Sequence, residues 1–295
     1  MRNLILALAC ALAPGFALGQ APKLKVYVSV DMEGIGGIST WEKQAGPKGA
    51  DYEKFRKLMT LEVNAAIAGA YDAGATEVLV SDSHWDGQNI DPELLDKRVR
   101  MVRAWPRPLL MMGGIDATFD AVLLVGYHAS EGTPSAGLAH TMDGRHVFEM
   151  KLNGTAVPEA AFSAAVAGEF GVPVVFLSGD QAIAAQARAL LGPIETAVVK
   201  TADGFYSGTM LHPEESQRLI REGVKRGLAR RKELKPYKLA RPVKLEITFK
   251  DAVYAEVLSY LHDVERPRGN AVVFAARDAL DATRFISAIL YLDIH

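Results

Sequence analysis

From residue 24 to about residue 200, short apolar runs alternate with longer segments whose apolar residues recur at helical spacing. The runs are LKVYVSV (24–30), TEVLVSD (76–82), DAVLLVGYH (120–128), VPVVFLSGD (172–180) and ETAVVK (195–200). They are rich in Val and Leu and nearly continuous rather than alternating, the pattern of strands covered on both faces in a mostly parallel sheet. Between them, residues 51–75 carry one apolar face and reach Gly74, residues 157–171 open on Pro158 and close at Gly171, and residues 180–192 repeat that logic. Each predicts a helix with a recognisable end. The alternation predicts an α/β fold, a three-layer sandwich around a mostly parallel sheet. The last third changes character: a helix over HPEESQRLIREGVKRGLARR is followed by PVKLEITF (242–249), VYAEVLSYL and NAVVFAA (270–276), ending in ATRFISAILYLDI. It predicts a smaller α+β part, with domains over 22–200 and 201–295.

Composition changes this picture little. The chain has 295 residues, 49% hydrophobic and 23% charged, with a formal net charge of −2. That balance argues against nucleic acid as a partner. The one basic run, KRGLARRKELK (225–235), reads as a solvated helix end. The first residues matter more. MRNLILALACALAPGFALGQAPK has a basic start, a short apolar run, a Pro-Gly break and small residues before a polar stretch. Residues 1–21 therefore predict a cleaved signal peptide rather than a stable membrane anchor, and an exported, periplasmic protein. Cys10 is the only cysteine. With the leader removed, a metal would have to be held by His, Asp or Glu.

Candidate chemistry lies where the strands end, because open α/β sheets bind ligands beyond the carboxyl ends of their strands. The first run is followed by Asp31 and Glu33, the second by His84 and the third by His128, and Glu159 stands just inside the next helix. Two carboxylates one residue apart repel unless a cation lies between them. Imidazole with carboxylate suits zinc and related divalent ions. Three carboxylates and two histidines suffice for two ions if one carboxylate bridges, and Asp31 is placed to do so. Taken singly, each residue is better explained by turn polarity, a hydrogen-bonded loop histidine or a helix-start acid, and only jointly do they favour metal. Asp82 and Asp180 read as caps, His146 as a turn residue, and Asn153-Gly154 as a hairpin turn. Ser83 lacks the surroundings of a nucleophile elbow. The glycines of EGIGG lack dinucleotide or P-loop spacing.

At these residues the chain resembles a known family. SVDMEGIGGI, EVLVSDSH, LLVGYHA, GLAHTM and LNGTAVPEAAFSA occur in order and together resemble the D-aminopeptidases of the dipeptide-transport-operon type, the M55 zinc peptidases. The resemblance implies two zinc ions per chain, with Asp31, Glu33, His84, His128 and Glu159 as ligands and Asp31 bridging. It pairs Asp31, Glu33 and His128 on one ion and Asp31, His84 and Glu159 on the other. It makes His140 of GLAHTM the catalytic proton shuttle. It also implies a layered α/β domain, a short-peptide substrate, and a homo-oligomer in stacked rings, a decameric ring being the expected form. Two departures stand out: the family members behind this resemblance lack an export leader, and Pro158 stands before Glu159 where glycine is expected.

The expected function is a zinc-dependent aminopeptidase hydrolysing short, D-amino-acid-containing peptides by a metal-activated water. The rivals are an exported, non-catalytic peptide-binding protein, which needs no His140, and a dinuclear phosphoesterase, which needs a cluster of basic groups that Arg103, Arg107 and Arg145 do not obviously make.

Overall fold

The computed structural model describes residues 23–291. The leader expected over residues 1–21 lies outside the described residues.

In chain order the elements are β1 (Lys25–Val30), α1 (Tyr52–Asp72), β2 (Glu77–Asp82), β3 (Arg100–Val102), β4 (Ala121–Tyr127), β5 (Val147–Leu152), β6 (Thr155–Ala156), α2 (Glu159–Glu169), β7 (Val174–Asp180), α3 (Gln181–Leu191), β8 (Glu195–Ala202), β9 (Gly208–Met210), α4 (Pro213–Ala229), β10 (Val243–Phe249), α5 (Val253–Leu258), β11 (Val264–Arg268), β12 (Ala271–Ala276) and α6 (Ala279–Leu290). A π-helical turn, Trp41–Ala45, and a 3-10 turn, Leu110–Met112, interrupt the loops.

Seven strands form the first sheet in the order β3-β2-β1-β4-β7-β8-β9. All its pairings are parallel except that of the short edge strand β9 with β8. Helices α1 and α4 pack on each other, with α4 lying on β7 and β8. Helices α2 and α3 form a second pair, on β4 and on β7 and β8 respectively, and the sheet lies between the pairs. That is the expected three-layer sandwich, and it explains the unbroken apolar runs: every residue of β4 and β7 is buried. The chain order reverses between β1 and β4, so the switch point lies where Asp31 and His128 leave the sheet.

The second sheet is antiparallel, in the order β11-β12-β10-β5-β6. Its own core joins Val147, Met150, Leu245, Ile247 and Ile286. A division at residue 200 does not separate the two sheets. β5 and β6 precede that point yet belong to the second sheet, and α4 follows it yet packs on the first. The reason is local: Asn153 and Gly154, at φ +50° and +84°, close a two-residue hairpin. β5 pairs along β10 from Leu152–Leu245 to Val147–Phe249, which ties the middle of the chain to its last third.

Helix α2 joins the two units. Every residue from Glu159 to Gly168 is buried. Ala160, Ala164 and Ala167 face the first core, and Ala161 and Phe162 the second. A helix apolar on all sides is one enclosed on all sides, and its alanines let both cores approach closely. Its first residue is Glu159, so the element locked most deeply between the layers positions a candidate ligand. Pro158 precedes the helix in extended conformation (φ −76°, ψ 168°), a geometry proline adopts without strain. Among the described residues no helix is long and apolar enough to cross a membrane.

Candidate metal centre

The loop after β1 is pressed onto β4. Asp31 N donates to Val125 O at 2.8 Å and Gly34 N to Gly126 O at 2.7 Å. Only glycines allow this approach: a Cβ on Gly34 would lie 2.0 Å from Tyr127 O, and one on Gly126, at φ +72°, 2.3 Å from Asp31 O. The glycines of EGIGG thus serve close packing rather than phosphate binding. Asp31 and Glu33 are turned inward at the switch point, each 2% exposed.

All six residues singled out from the sequence meet there. His84 Nδ1 lies 3.2 Å from Asp31 Oδ1 and 2.9 Å from Glu33 Oε2. His128 Nε2 lies 3.2 Å from Asp31 Oδ2 and 3.5 Å from Glu159 Oε1. His140 Nε2 is 3.7 Å from Glu159 Oε1, and its ring stacks on that of His128 with centroids 4.0 Å apart. Asp31 therefore turns one oxygen to each of two histidines. Asp31, Glu33 and His128 bring their ligand atoms within 4.8 Å of one another, as do His128, His140 and Glu159, so these contacts do not by themselves divide the ligands between two ions.

The far nitrogen of each ring decides its chemistry. His84 Nε2 faces Ala45 O at 2.9 Å, His128 Nδ1 faces Ala129 O at 3.0 Å, and His140 Nδ1 faces Leu138 O at 2.9 Å. A carbonyl only accepts, so each of these nitrogens carries the proton and donates. A neutral ring then presents a lone pair to the cluster, the arrangement of a metal-ligating histidine whose orientation is set by its outer hydrogen bond. With the rings neutral, their lone pairs face those of the carboxylates. Asp31 Oδ2, Glu33 Oε2 and His128 Nε2 are buried without a hydrogen-bond partner, a costly arrangement unless a cation is shared among them. The donor set, imidazole nitrogens with carboxylate oxygens, fits zinc.

In the absence of metal, protons meet the same demand. Burial, and then the neighbouring Glu33 charge, pushes the Asp31 carboxyl up. Burial alone would lower the His84 ring, but Glu33 and Asp31 outweigh it and hold its pKa well above the usual histidine range. His128 is likewise disfavoured as a cation by burial, yet Glu159 and Asp31 raise it well above that range. Against the same burial, His84 keeps Glu33 well below the carboxylate range, and His128 keeps Glu159 below it. The carboxylates demand positive charge, which either protons or metal ions can supply.

Surrounding residues take the plainer roles expected of them. Asp180 Oδ1 accepts from Ala182 N and Ile183 N and caps α3. Asp82 accepts from the backbone of Asn89 and Ile90 and ties down the loop after His84. Ser83 hydrogen-bonds Ser29 and Met111 O in a buried hydroxyl network beneath the site, so it is structural. His146 pairs with Asp143 at 2.7 Å. Arg107 stacks on Trp105 and donates to Leu110 O, Ser81 Oγ and Asp82 O, and Arg103 donates to Gln88 O, so these arginines form no phosphate clamp.

Three contributors escaped the sequence reading. The Trp41–Ala45 turn supplies the carbonyl that fixes His84. Glu62 of α1, buried, accepts from Gly36 N at 2.9 Å, and burial pushes its pKa up to about 7. Lys200 of β8, also buried, donates to backbone carbonyls of the loop that carries Glu33. A charged residue closing the apolar run ETAVVK was the available signal for Lys200, although β8 itself continues to Ala202.

Comparison with known proteins places the chain in one family. A family model described as peptidase M55, D-aminopeptidase, matches residues 24–288. The D-aminopeptidase of Bacillus subtilis (strain 168) is 35% identical over 263 residues, spanning 88% of this chain and 94% of that one. A solved structure, the Zn-dependent D-aminopeptidase DppA from Bacillus subtilis, described as a self-compartmentalizing protease, superposes with a TM-score of 0.86 at 32% identity. The match covers 92% of this chain and 100% of that one. The chain belongs to the M55 family of D-aminopeptidases and is a metallo-aminopeptidase.

Proposed function

We propose that this protein is an exported zinc D-aminopeptidase that releases the N-terminal residue of short peptides containing D-amino acids, from a centre for two zinc ions. The observation that carries the reading is the set of imidazole lone pairs, fixed by backbone carbonyls, that face unpartnered carboxylate oxygens across Asp31. Asp31, Glu33, His84, His128 and Glu159 would hold the two ions, with Asp31 shared between them. When bound, zinc supplies Lewis acidity and lowers the pKa of water towards neutrality.

The protein's own groups then handle protons and position. Hydrolysis requires a proton to leave the attacking water and another to reach the departing amine. His140 is placed for both transfers: Nδ1 is committed to Leu138 O, while Nε2 faces the cluster from a side chain 20% exposed, unlike the sealed His84 and His128. Glu159 keeps its orientation through Met142 N, which donates to Oε1 at 2.6 Å. The stacked His128 ring limits rotation of His140. The similarity to a self-compartmentalizing protease supports a homo-oligomeric ring, decameric in the form we propose. The basic, apolar and small-residue order of residues 1–21 supports export to the periplasm.

The test is zinc per chain after gentle purification, with hydrolysis of matched D- and L-dipeptides before and after chelation. About two zinc ions, with chelator-sensitive turnover of the D-dipeptide, is the expected result. Peptide binding that persists without metal and without turnover would favour a binding protein. Hydrolysis of phosphate esters in place of peptides would favour the phosphoesterase.

A further inference from the structure

Lys200 is a charged side chain inside the sandwich, 3% exposed, with no part in the reaction proposed above. Its Nζ donates to Glu33 O, to Ile38 O at 2.7 Å and to Ile35 O at 3.3 Å. An ammonium has three donors and no acceptor. Here three carbonyls of a single loop receive them, so each donor is used, and an amine with one fewer proton would leave a carbonyl unmet. Three carbonyl oxygens converging without a cation would repel one another and turn outward. The loop they belong to is the one between β1 and the Trp41–Ala45 turn, and it is also gripped on either side of Ile35. Glu62 Oε1 accepts from Gly36 N at 2.9 Å, and Gly34 N donates to Gly126 O.

The Glu33 peptide carbonyl and the Glu33 carboxylate hang from one residue, so turning that peptide swings the carboxylate away from His84. Burying an ammonium is expensive, and here its donors are spent on three carbonyls of the loop that carries Glu33, which an apolar side chain would leave unmet. We infer that Lys200 is a positioning residue of the metal centre: by holding the carbonyls of Glu33, Ile35 and Ile38, its ammonium keeps the Glu33 carboxylate on His84. The inference rests on the reading of Asp31, Glu33, His84, His128 and Glu159 as metal ligands.

The experiment is a double-mutant cycle on zinc affinity, measured by competition with a chromophoric chelator on the full chain, with Lys200→Met, Glu33→Gln and the two combined. Lys200→Met is expected to fold and melt cooperatively, to keep one zinc at wild-type affinity and to bind the other about tenfold more weakly or worse, the usual scale for losing an outer hydrogen-bond partner of a ligand. The double variant should be no weaker than Glu33→Gln alone, because both changes disable one carboxylate. Cobalt substituted for zinc should show an altered visible spectrum in Lys200→Met for the weakened site only. Lys200→Arg keeps the charge but spreads its donors over a planar fork, so it should also weaken one ion. Wild-type affinity for both ions in Lys200→Met or Lys200→Arg would overturn the inference. So would multiplicative losses in the double variant, equal weakening of both ions, or a Lys200→Met chain that does not fold, since each makes Lys200 an ordinary structural residue. A wild-type chain that binds no zinc would instead remove the metal-centre reading itself.

Discussion

Single residues here carry two kinds of burden, chemical and electrostatic, and each can be measured by itself. His140 is stacked on His128 yet stands at the edge of the cluster, 3.7 Å from Glu159. We expect His140→Ala to lower kcat by about a hundredfold or more, the usual scale for a general acid–base, with zinc per chain unchanged. Loss of metal together with turnover would make His140 a ligand instead of a proton shuttle. Glu62 bears the electrostatic kind. Its carboxyl is buried, one oxygen meets Gly36 N, and its pKa rises from 4.5 to about 7. Between those pH values the folded chain holds a proton that the unfolded chain has released. Stability therefore falls as pH rises through that window. Glu62→Gln keeps the acceptor and removes the charge. Its stability relative to wild type should grow between pH 4 and pH 8 by up to about 3 kcal/mol, read from denaturant midpoints. A difference that stays flat with pH would show that Glu62 is ionised at no cost.

At the scale of elements, the centre depends on one contact, the loop after β1 against β4. A Cβ at Gly34 would sit 2.0 Å from Tyr127 O, with backbone on the other side, so nothing flexible can yield. Gly34→Ala should cost about 3 kcal/mol or more and reduce zinc binding, whereas Gly74→Ala, at a helix end with nothing within 4 Å but at φ +91°, should cost about 1 kcal/mol and leave zinc in place. Equal zinc losses in both would mean the contact does not set the site. These elements also show what the sequence can and cannot disclose. The doubly buried strands were legible because burial on both faces leaves unbroken Val and Leu runs, and the helix ends because Gly74, Gly171 and Pro158 mark them. Asp31, Glu33, His84, His128 and Glu159 were legible because parallel strands bring their ends, and the start of the next helix, to one rim, whereas His140 was marked only by the family resemblance. Short edge strands such as β3 and β9, with three residues each, carry too little pattern to register. The assignment of β5 to the second sheet depends on a partner almost a hundred residues away, which local periodicity does not record. The pairing of His84 with Glu33 hangs on the Ala45 carbonyl, a backbone atom that any residue would supply. Lys200 and Glu62 act on backbone groups for the same reason, and only the folded loop displays them.

For the whole molecule, the centre couples metal to folding and to pH. His84 and His128 are pulled well above the usual histidine pKa by the carboxylates around them. Without metal, their protonated forms stabilise the fold. That contribution is complete below the unfolded histidine value of about 6.5 and fades as pH climbs through the higher folded values. Zinc must displace those protons, since a ligating imidazole is neutral. Apparent zinc affinity should therefore rise with pH, by about tenfold per unit for each proton displaced. The metal-stripped chain should meanwhile lose stability over the same range. Both effects act in one direction on the difference between zinc-loaded and stripped protein. Ligand at a hundred times its Kd adds about 2.7 kcal/mol, so the zinc-induced increase in Tm should be larger at pH 8 than at pH 6. Calorimetry of zinc binding in buffers of different ionisation enthalpy should show proton release in that interval. A Tm increase that shrinks as pH rises, or binding without proton release, would mean that the histidines are neutral before metal arrives and that the carboxylates do not hold their charge in the folded protein.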